Sequence, residues 1–294
     1  MFDNVERDEF LKEYQISLDD FRSAMIPWDD LLAIKQDFIS NEKKYQKAID
    51  KCDSVLSKCS QIHSKNPRIK NPEHLVEKII RKNPEFMSKK RGGGSITIDN
   101  YENKIRDLVG FRIVLLYKDD WPIVHDYIIS HFKFAEKPFA YVVKGDDENR
   151  YKEKNVRVKH RKDYRSVHYV VKCSGCYVEL QVRTLAEEVW GEIDHNLRYP
   201  LNRKNEKLTR YMALMSDLTG CVDRMAAFVC DYLKDFERKG IPLTTNEVYN
   251  KILSKLDEID GNEDIKKEIA DIIVSAEEYQ RLKETKDLIA SILE

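Results

Sequence analysis

Long apolar runs are missing from this chain. No stretch approaches the roughly 20 residues that a membrane-spanning helix needs. The N-terminus does not read as a leader either, because Met1 to Phe10 carries four acidic residues, whereas secretory and transit signals are basic or apolar. We therefore expect a soluble, cytoplasmic protein with no membrane partner. Zinc-finger spacing is absent too. Of six cysteines, only Cys173 and Cys176 form a CxxC, and no second CxxC or histidine pair accompanies it. The cysteines are expected to be reduced thiols. Between Tyr169-Val170-Val171 and Tyr177-Val178, the Ser174-Gly175 pair reads better as the turn of a β-hairpin. There is no repeat at a fixed period, which excludes solenoids and propellers.

What is present points to a folded core. The 294 residues are 41% hydrophobic and 10% aromatic, which excludes wholesale disorder. The formal net charge is only -1, yet it is distributed unevenly. Residues 1–60 hold 9 basic and 13 acidic side chains, and residues 201–294 hold 15 and 19. The remaining 27 basic and 20 acidic side chains lie in residues 61–200, a local excess of +7. A basic centre between acidic flanks suits an anionic ligand, of which phosphate is the commonest.

Apolar periodicity divides the chain into three regions: a helical arm at 1–60, a core at 61–200 and a helical region at 201–294. The pattern from Trp28 to about Ser64 predicts helix, ended by Asn66-Pro67, and Pro72 opens another helix. Arg91-Gly92-Gly93-Gly94 predicts a mobile basic loop. Strands are expected at 113–117, 139–143, 166–172 and 177–183, with helices at 121–132 and 184–199. The expected fold class is α+β, a mixed-sheet core flanked by helical arms.

Three fragments carry chemistry. Arg68-Ile69-Lys70 precedes Lys78, Arg81 and Lys82, which lie three and four residues apart on one helix side. Such a face can meet a triphosphate or simply be a solvated surface. Asp107 precedes the buried strand of Gly110-Phe111-Arg112-Ile113, and Glu179, Gln181 and Arg183 share one face of a later strand. Two carboxylates at strand positions 107 and 179 are compatible with one Mg²⁺, and equally with salt bridges to Arg112 or Arg183. Tyr164-Arg165-Ser166-Val167-His168, beside a segment (150–165) with eight basic and two acidic residues, suits a nucleobase platform or a half-buried amphipathic strand.

In this order, Arg-x-Lys, Lys-x-x-Arg, Asp-x-x-Gly-x-Arg-Ile, Tyr-x-Ser-x-His, Glu-x-Gln-x-Arg-Thr and Trp-x-x-x-x-His, the sequence resembles the RelA/SpoT-type alarmone synthetase domain over residues 45–200. The resemblance implies a nucleotidyltransferase-like core that moves the β,γ-pyrophosphate of ATP to the 3′-hydroxyl of GDP or GTP. It implies that Arg68 and Arg112 sandwich adenine, and that Lys70, Lys78 and Arg81 meet the ATP phosphates. Asp107 and Glu179 would hold Mg²⁺, with Glu179 activating the acceptor hydroxyl. Tyr164 would stack on guanine, Lys159, Arg161 and Lys162 would grip acceptor phosphates, and His168 and Gln181 would line that site. Trp190 and His195 look architectural.

Two positions depart from the pattern. Asn71-Pro72-Glu73-His74 stands where many relatives have Ser-Pro-Glu-Ser, and Glu188 stands where some place a guanine-reading asparagine. The sixty residues upstream are too few for the hydrolase domain of long relatives, so none is expected, and His125-Asp126 lacks partner histidines. Two alternatives remain open: a toxic relative acting on the 3′ end of tRNA, or a nucleotide-sensing or partner-binding module. The helical regions suit self-association, a neutralising protein partner or a sensed trigger.

Overall fold

The computed structural model describes residues 2–89, 93–198 and 205–239. Ten helices occur among them: α1 (Phe2–Glu13), α2 (Leu18–Ala24), α3 (Trp28–Ser40), α4 (Glu42–Leu56), α5 (Pro72–Met87), α6 (Tyr101–Lys104), α7 (Trp121–His131), α8 (Asn149–Glu153), α9 (Leu185–Arg198) and α10 (Glu206–Lys239). Seven strands form one mixed sheet: β1 (Ser64–Ile69), β2 (Val109–Leu115), β3 (Lys133–Phe134), β4 (Phe139–Val142), β5 (Arg157–His160), β6 (Ser166–Cys173) and β7 (Cys176–Thr184). The order is β1-β2-β7-β6-β4-β5, with β3 also on β6. The α+β class with a mixed sheet and flanking helices is as expected.

Several expected boundaries need correction. The apolar repeat from Trp28 is two helices that break at Asn41, and the chain after α4 becomes a strand. Asn66-Pro67 lies within β1, antiparallel to β2 with Pro67 opposite Phe111. An edge strand tolerates a proline because one of its sides has no ladder to donate to. The strand expected at 113–117 is β2, which begins at Val109 and leaves Tyr117 outside. The loop at 91–94, Pro200 and everything after Lys239 lie wholly or partly outside the described residues.

Period-two alternation separates the two faces of the sheet. Val167, Tyr169 and Val171 of β6 pair with Val182, Leu180 and Val178 of β7, and all six are buried. That face receives α4 and α7. Cys173 Sγ donates to the Ala48 carbonyl at 3.7 Å, and the Trp121 indole donates to the Tyr169 hydroxyl at 3.0 Å, which also meets His125 Nδ1 at 3.0 Å. His125 thus belongs to the packing, and Asp126 pairs with Lys154. The residues of α3 and α4 share this buried cluster with the strands. The β6–β7 turn is the expected hairpin: Ser174 and Gly175 have φ of 47° and 80°, the two positive values a type I′ turn requires.

The chain divides after Asp223 into two units, Met1–Asp223 and Arg224–Glu294. Within the first, α10 is fixed by Trp190 Nε1 donating to the Met212 carbonyl at 2.7 Å and by Arg165 Nη1 donating to the Ser216 carbonyl at 2.7 Å. Of the second unit, only helical residues 224–239 are described. No described helix is long and apolar enough to cross a membrane.

Asn83 on α5 is fully buried and bridges distant backbone. Its amide donates to the Ala24 carbonyl at 2.7 Å, and its carbonyl accepts from the Ile96 amide at 2.7 Å. Removing it leaves two buried backbone groups without these partners, each costing about 1–3 kcal/mol. Asn83→Ala should therefore lose about 2–4 kcal/mol of stability, read as a lower denaturant midpoint at unchanged slope. A shift near zero would show that water replaces the amide.

Candidate nucleotide cleft

The opposite face of the sheet carries the polar residues. Register sets Gly110 and Arg112 of β2 beside Glu179 and Gln181 of β7, and Gln181 beside His168 of β6. Arg68, Arg112, Tyr164, Gln181 and Arg183 line a cleft of about 380 Å³, closed on its other side by Trp190, Gly191, Asp194, His195 and Arg198 of α9.

Asp107 occupies the turn before β2 rather than a strand position. Its Oδ2 accepts from Lys70 at 3.1 Å and from Lys78 at 2.7 Å, so its partners are these lysines and not Arg112 or Arg183. The Lys70 amide is held by the Leu108 carbonyl at 2.8 Å, which fixes this lysine next to the turn. Burial alone would raise the Asp107 carboxyl, but the Lys78 and Lys70 ammonium groups overturn that and hold it well below the usual carboxylate range. Burial lowers the Lys70 ammonium, and Asp107 offsets part of the shift. The second oxygen, Oδ1, is buried with no hydrogen-bond partner.

Glu179 is held from β6 and from its own strand. Its carboxylate only accepts, so His168 Nδ1–H donates to Oε1 at 3.1 Å, and Gln181 donates to Oε2 at 2.7 Å. His168 Nε2 meets the Tyr164 hydroxyl at 3.2 Å, and that oxygen accepts from Arg183 Nη2 at 2.7 Å. Burial pushes the Glu179 carboxyl up, yet the hydrogen bond and charge of His168 bring it below its ordinary value against the opposing charge of Asp107. Glu179 is therefore ionised at neutral pH.

Sequence reasoning missed two rings of this site. Phe139 stacks on His168 with centroids 5.0 Å apart and planes within 8°, and Tyr141 meets Tyr164 and His168 edge-on at 5.3 and 5.2 Å. Two expected cations sit on these rings: Lys159 Nζ is 3.3 Å from the Phe139 centroid, and the Arg161 guanidinium is 4.8 Å from that of Tyr141. The alternation Phe139-Ala140-Tyr141 was the available signal. Lys162 is exposed, and Arg81 points Nε at Glu77 at 3.1 Å, one turn from Lys78. His195, expected to be architectural, lines the cleft.

The depressed Asp107 carboxyl has a thermodynamic consequence. A group with a lowered folded pKa stabilises the fold above its unfolded value of about 4 and loses that contribution as pH falls through the folded value. The stability difference between wild type and Asp107→Asn should accordingly be constant near neutrality and shrink below about pH 4. Urea titrations across pH read it directly, and a gap that widens in acid would contradict the pairing.

Comparison with known proteins places the chain in a family. A model of the region found in RelA/SpoT proteins matches residues 67–204. The GTP pyrophosphokinase YwaC of Bacillus subtilis (strain 168) is 27% identical over 192 residues, covering 59% of this chain and 80% of that protein. The GTP pyrophosphokinase YjbM of the same organism is 31% identical over 182 residues, covering 55% and 74%. The crystal structure of small alarmone synthetase 1 from Bacillus subtilis superposes with a TM-score of 0.51 at 23% identity, covering 65% of this chain and 95% of that one, a likeness of fold. By its matched core and its identity to YjbM over most of that protein's length, the chain belongs to the RelA/SpoT-type alarmone synthetase family.

Proposed function

We propose that this chain transfers the β,γ-pyrophosphate of ATP to the 3′-hydroxyl of GDP or GTP, forming (p)ppGpp. The observation that carries the reading is a pair of ionised carboxylates, Asp107 and Glu179, with lysines on one side and an aromatic platform on the other.

The residues divide by what they offer. Arg68 and Arg112 line the cleft with flat guanidinium groups suited to stacking on adenine. Lys70 and Lys78 face the donor phosphates, with Arg81 one turn further along α5. Tyr164 stacks on the acceptor base, and Lys159 and Arg161, with exposed Lys162, meet its phosphates. In the reaction the acceptor 3′ oxygen bonds to the β-phosphorus, and the bond from that phosphorus to the AMP oxygen breaks. Glu179, ionised and oriented by His168 and Gln181, takes the hydroxyl proton. The protein's main contribution is to align two nucleotides and to offset charge on the phosphates.

The carboxylates fit Mg²⁺. Asp107 Oδ1 is a buried oxygen without a partner, and Glu179 is a second hard donor. No cluster of three or more metal-binding side chains occurs among the described residues. That suits a cation which takes one or two carboxylates and completes its shell with substrate phosphates and water. Held by Asp107 and Glu179, Mg²⁺ would supply charge neutralisation at those phosphates.

The test is product analysis after incubation with ATP and GDP, GTP or deacylated tRNA, offered separately. The expected products are AMP and a 3′-pyrophosphorylated mononucleotide in equal amounts, whereas labelling of tRNA alone would overturn the mononucleotide assignment. Asp107→Ala and Glu179→Ala should each lower turnover by about 100-fold or more. Retention of a tenth of wild-type activity by Glu179→Ala would remove it from the chemistry. Tyr164→Ala should raise the acceptor KM by about tenfold or more, since a stacked base is worth roughly 1–3 kcal/mol, and leave the ATP KM nearly unchanged.

A further inference from the structure

We infer that Glu188, acting through Arg183, is a positioning residue that holds the donor-base and acceptor-base platforms in one hydrogen-bonded frame. The inference rests on the substrate assignment proposed above and adds two side chains which that assignment does not use.

Glu188 is buried on α9, and its two oxygens serve two different guanidinium groups. Oε1 accepts from Arg112 Nη1 at 3.3 Å, and Oε2 accepts from Arg183 Nη1 at 3.0 Å. Arg183 is itself buried, and its Nη2 donates to the Tyr164 hydroxyl at 2.7 Å and to Gln181 Oε1 at 2.9 Å. A continuous chain thus runs from Arg112, at the proposed adenine platform, through Glu188 and Arg183 to Tyr164, at the proposed guanine platform. Arg112 has a second carboxylate in Glu192. Among the described residues, Glu188 is the only carboxylate that pairs with Arg183.

The seat of Arg183 against α9 is sterically specific. A Cβ on Gly191 would stand 2.5 Å from Arg183 Nη1, so a side chain at this helical position would make the guanidinium shift from its seat. Charge and shape therefore agree. A buried guanidinium needs an anion, and the helix supplies one three residues before the gap that admits it. Neither residue reaches the reacting carboxylates by a direct bond. Their influence falls on where the two bases lie, which is a matter of binding and alignment.

Glu188→Gln isolates the role. It keeps size and shape but removes the charge that both guanidinium groups share, so Arg183 loses its carboxylate and Arg112 keeps only Glu192. Titration with a non-hydrolysable ATP analogue and with GDP should show both affinities falling by roughly tenfold, the scale of a charged hydrogen bond. In turnover, both KM values should rise by more than kcat falls. Gly191→Ala displaces only Arg183 and should weaken GDP alone. Combining Glu188→Gln with Tyr164→Phe, which keeps the ring and removes the hydroxyl, should abolish the further loss of GDP affinity while the loss for the ATP analogue persists. A merely structural role would lower the active fraction and leave both affinities unmoved. Unchanged affinities in folded Glu188→Gln, or strictly additive effects with Tyr164→Phe, would overturn the inference. Wild-type binding of both nucleotides without transfer would instead refute the reaction and leave this frame standing.

Discussion

The parallel pairing of β2 with β7 decides where the charge of the cleft falls. Gly110 stands opposite Glu179 and Arg112 opposite Gln181, so the polar side chains of both strands project to one face while their apolar neighbours enter the core. Parallel neighbours at the centre of a sheet are buried on both sides, and an acid there is costly unless partnered. Three ionised groups here have their partners: Asp107 has two lysines, Glu179 has His168 and Gln181, and Arg183 has Glu188. The site is a set of mutual compensations laid across adjacent strands.

Those compensations also prepare the cleft for substrate. Lys70 and Lys78 are held on Asp107 until a more highly charged anion competes for them, and the triphosphate of the proposed donor is such an anion. The lysines need not be gathered from solvent when it enters, which spares most of the side-chain ordering that binding otherwise requires. On the acceptor side, the edge-on contacts of Tyr141 with Tyr164 and His168 set the rings before a base arrives. Cations over Phe139 and Tyr141 keep positive charge at the rim, where acceptor phosphates would lie.

Much of this was legible from local pattern. The strands β4, β6 and β7, the Ser174-Gly175 turn and the start of α5 at Pro72 all follow from alternation and backbone preference, which act within a few residues. Strand β1 was hidden because Asn66-Pro67 carries a breaker signal, and only its place at the sheet edge makes the proline harmless. Asp107 was legible as a chemical residue but not as the partner of Lys70 and Lys78. That pairing spans a turn, an edge strand and a helix separated by up to 37 residues, and no periodicity encodes it. Glu188 stood out only as a departure from a pattern. Its meaning required the register that sets Arg112 and Arg183 on the same face.

The polar face also joins Tyr164 to Glu179 through His168. The Tyr164 hydroxyl meets His168 Nε2, and His168 Nδ1–H donates to Glu179. Under the proposed function, the ring that stacks on the acceptor base and the carboxylate that takes the acceptor proton are thus two hydrogen bonds apart. The hydroxyl is held by Arg183 as well as by His168, so a base that seats badly on the ring meets a platform that does not follow it. Glu179 likewise stays aimed by both His168 and Gln181. Because alignment rather than intrinsic reactivity limits a transfer of this kind, a base seated badly on a fixed platform would hold its 3′ oxygen out of line with Glu179, and selection of the acceptor needs no moving part.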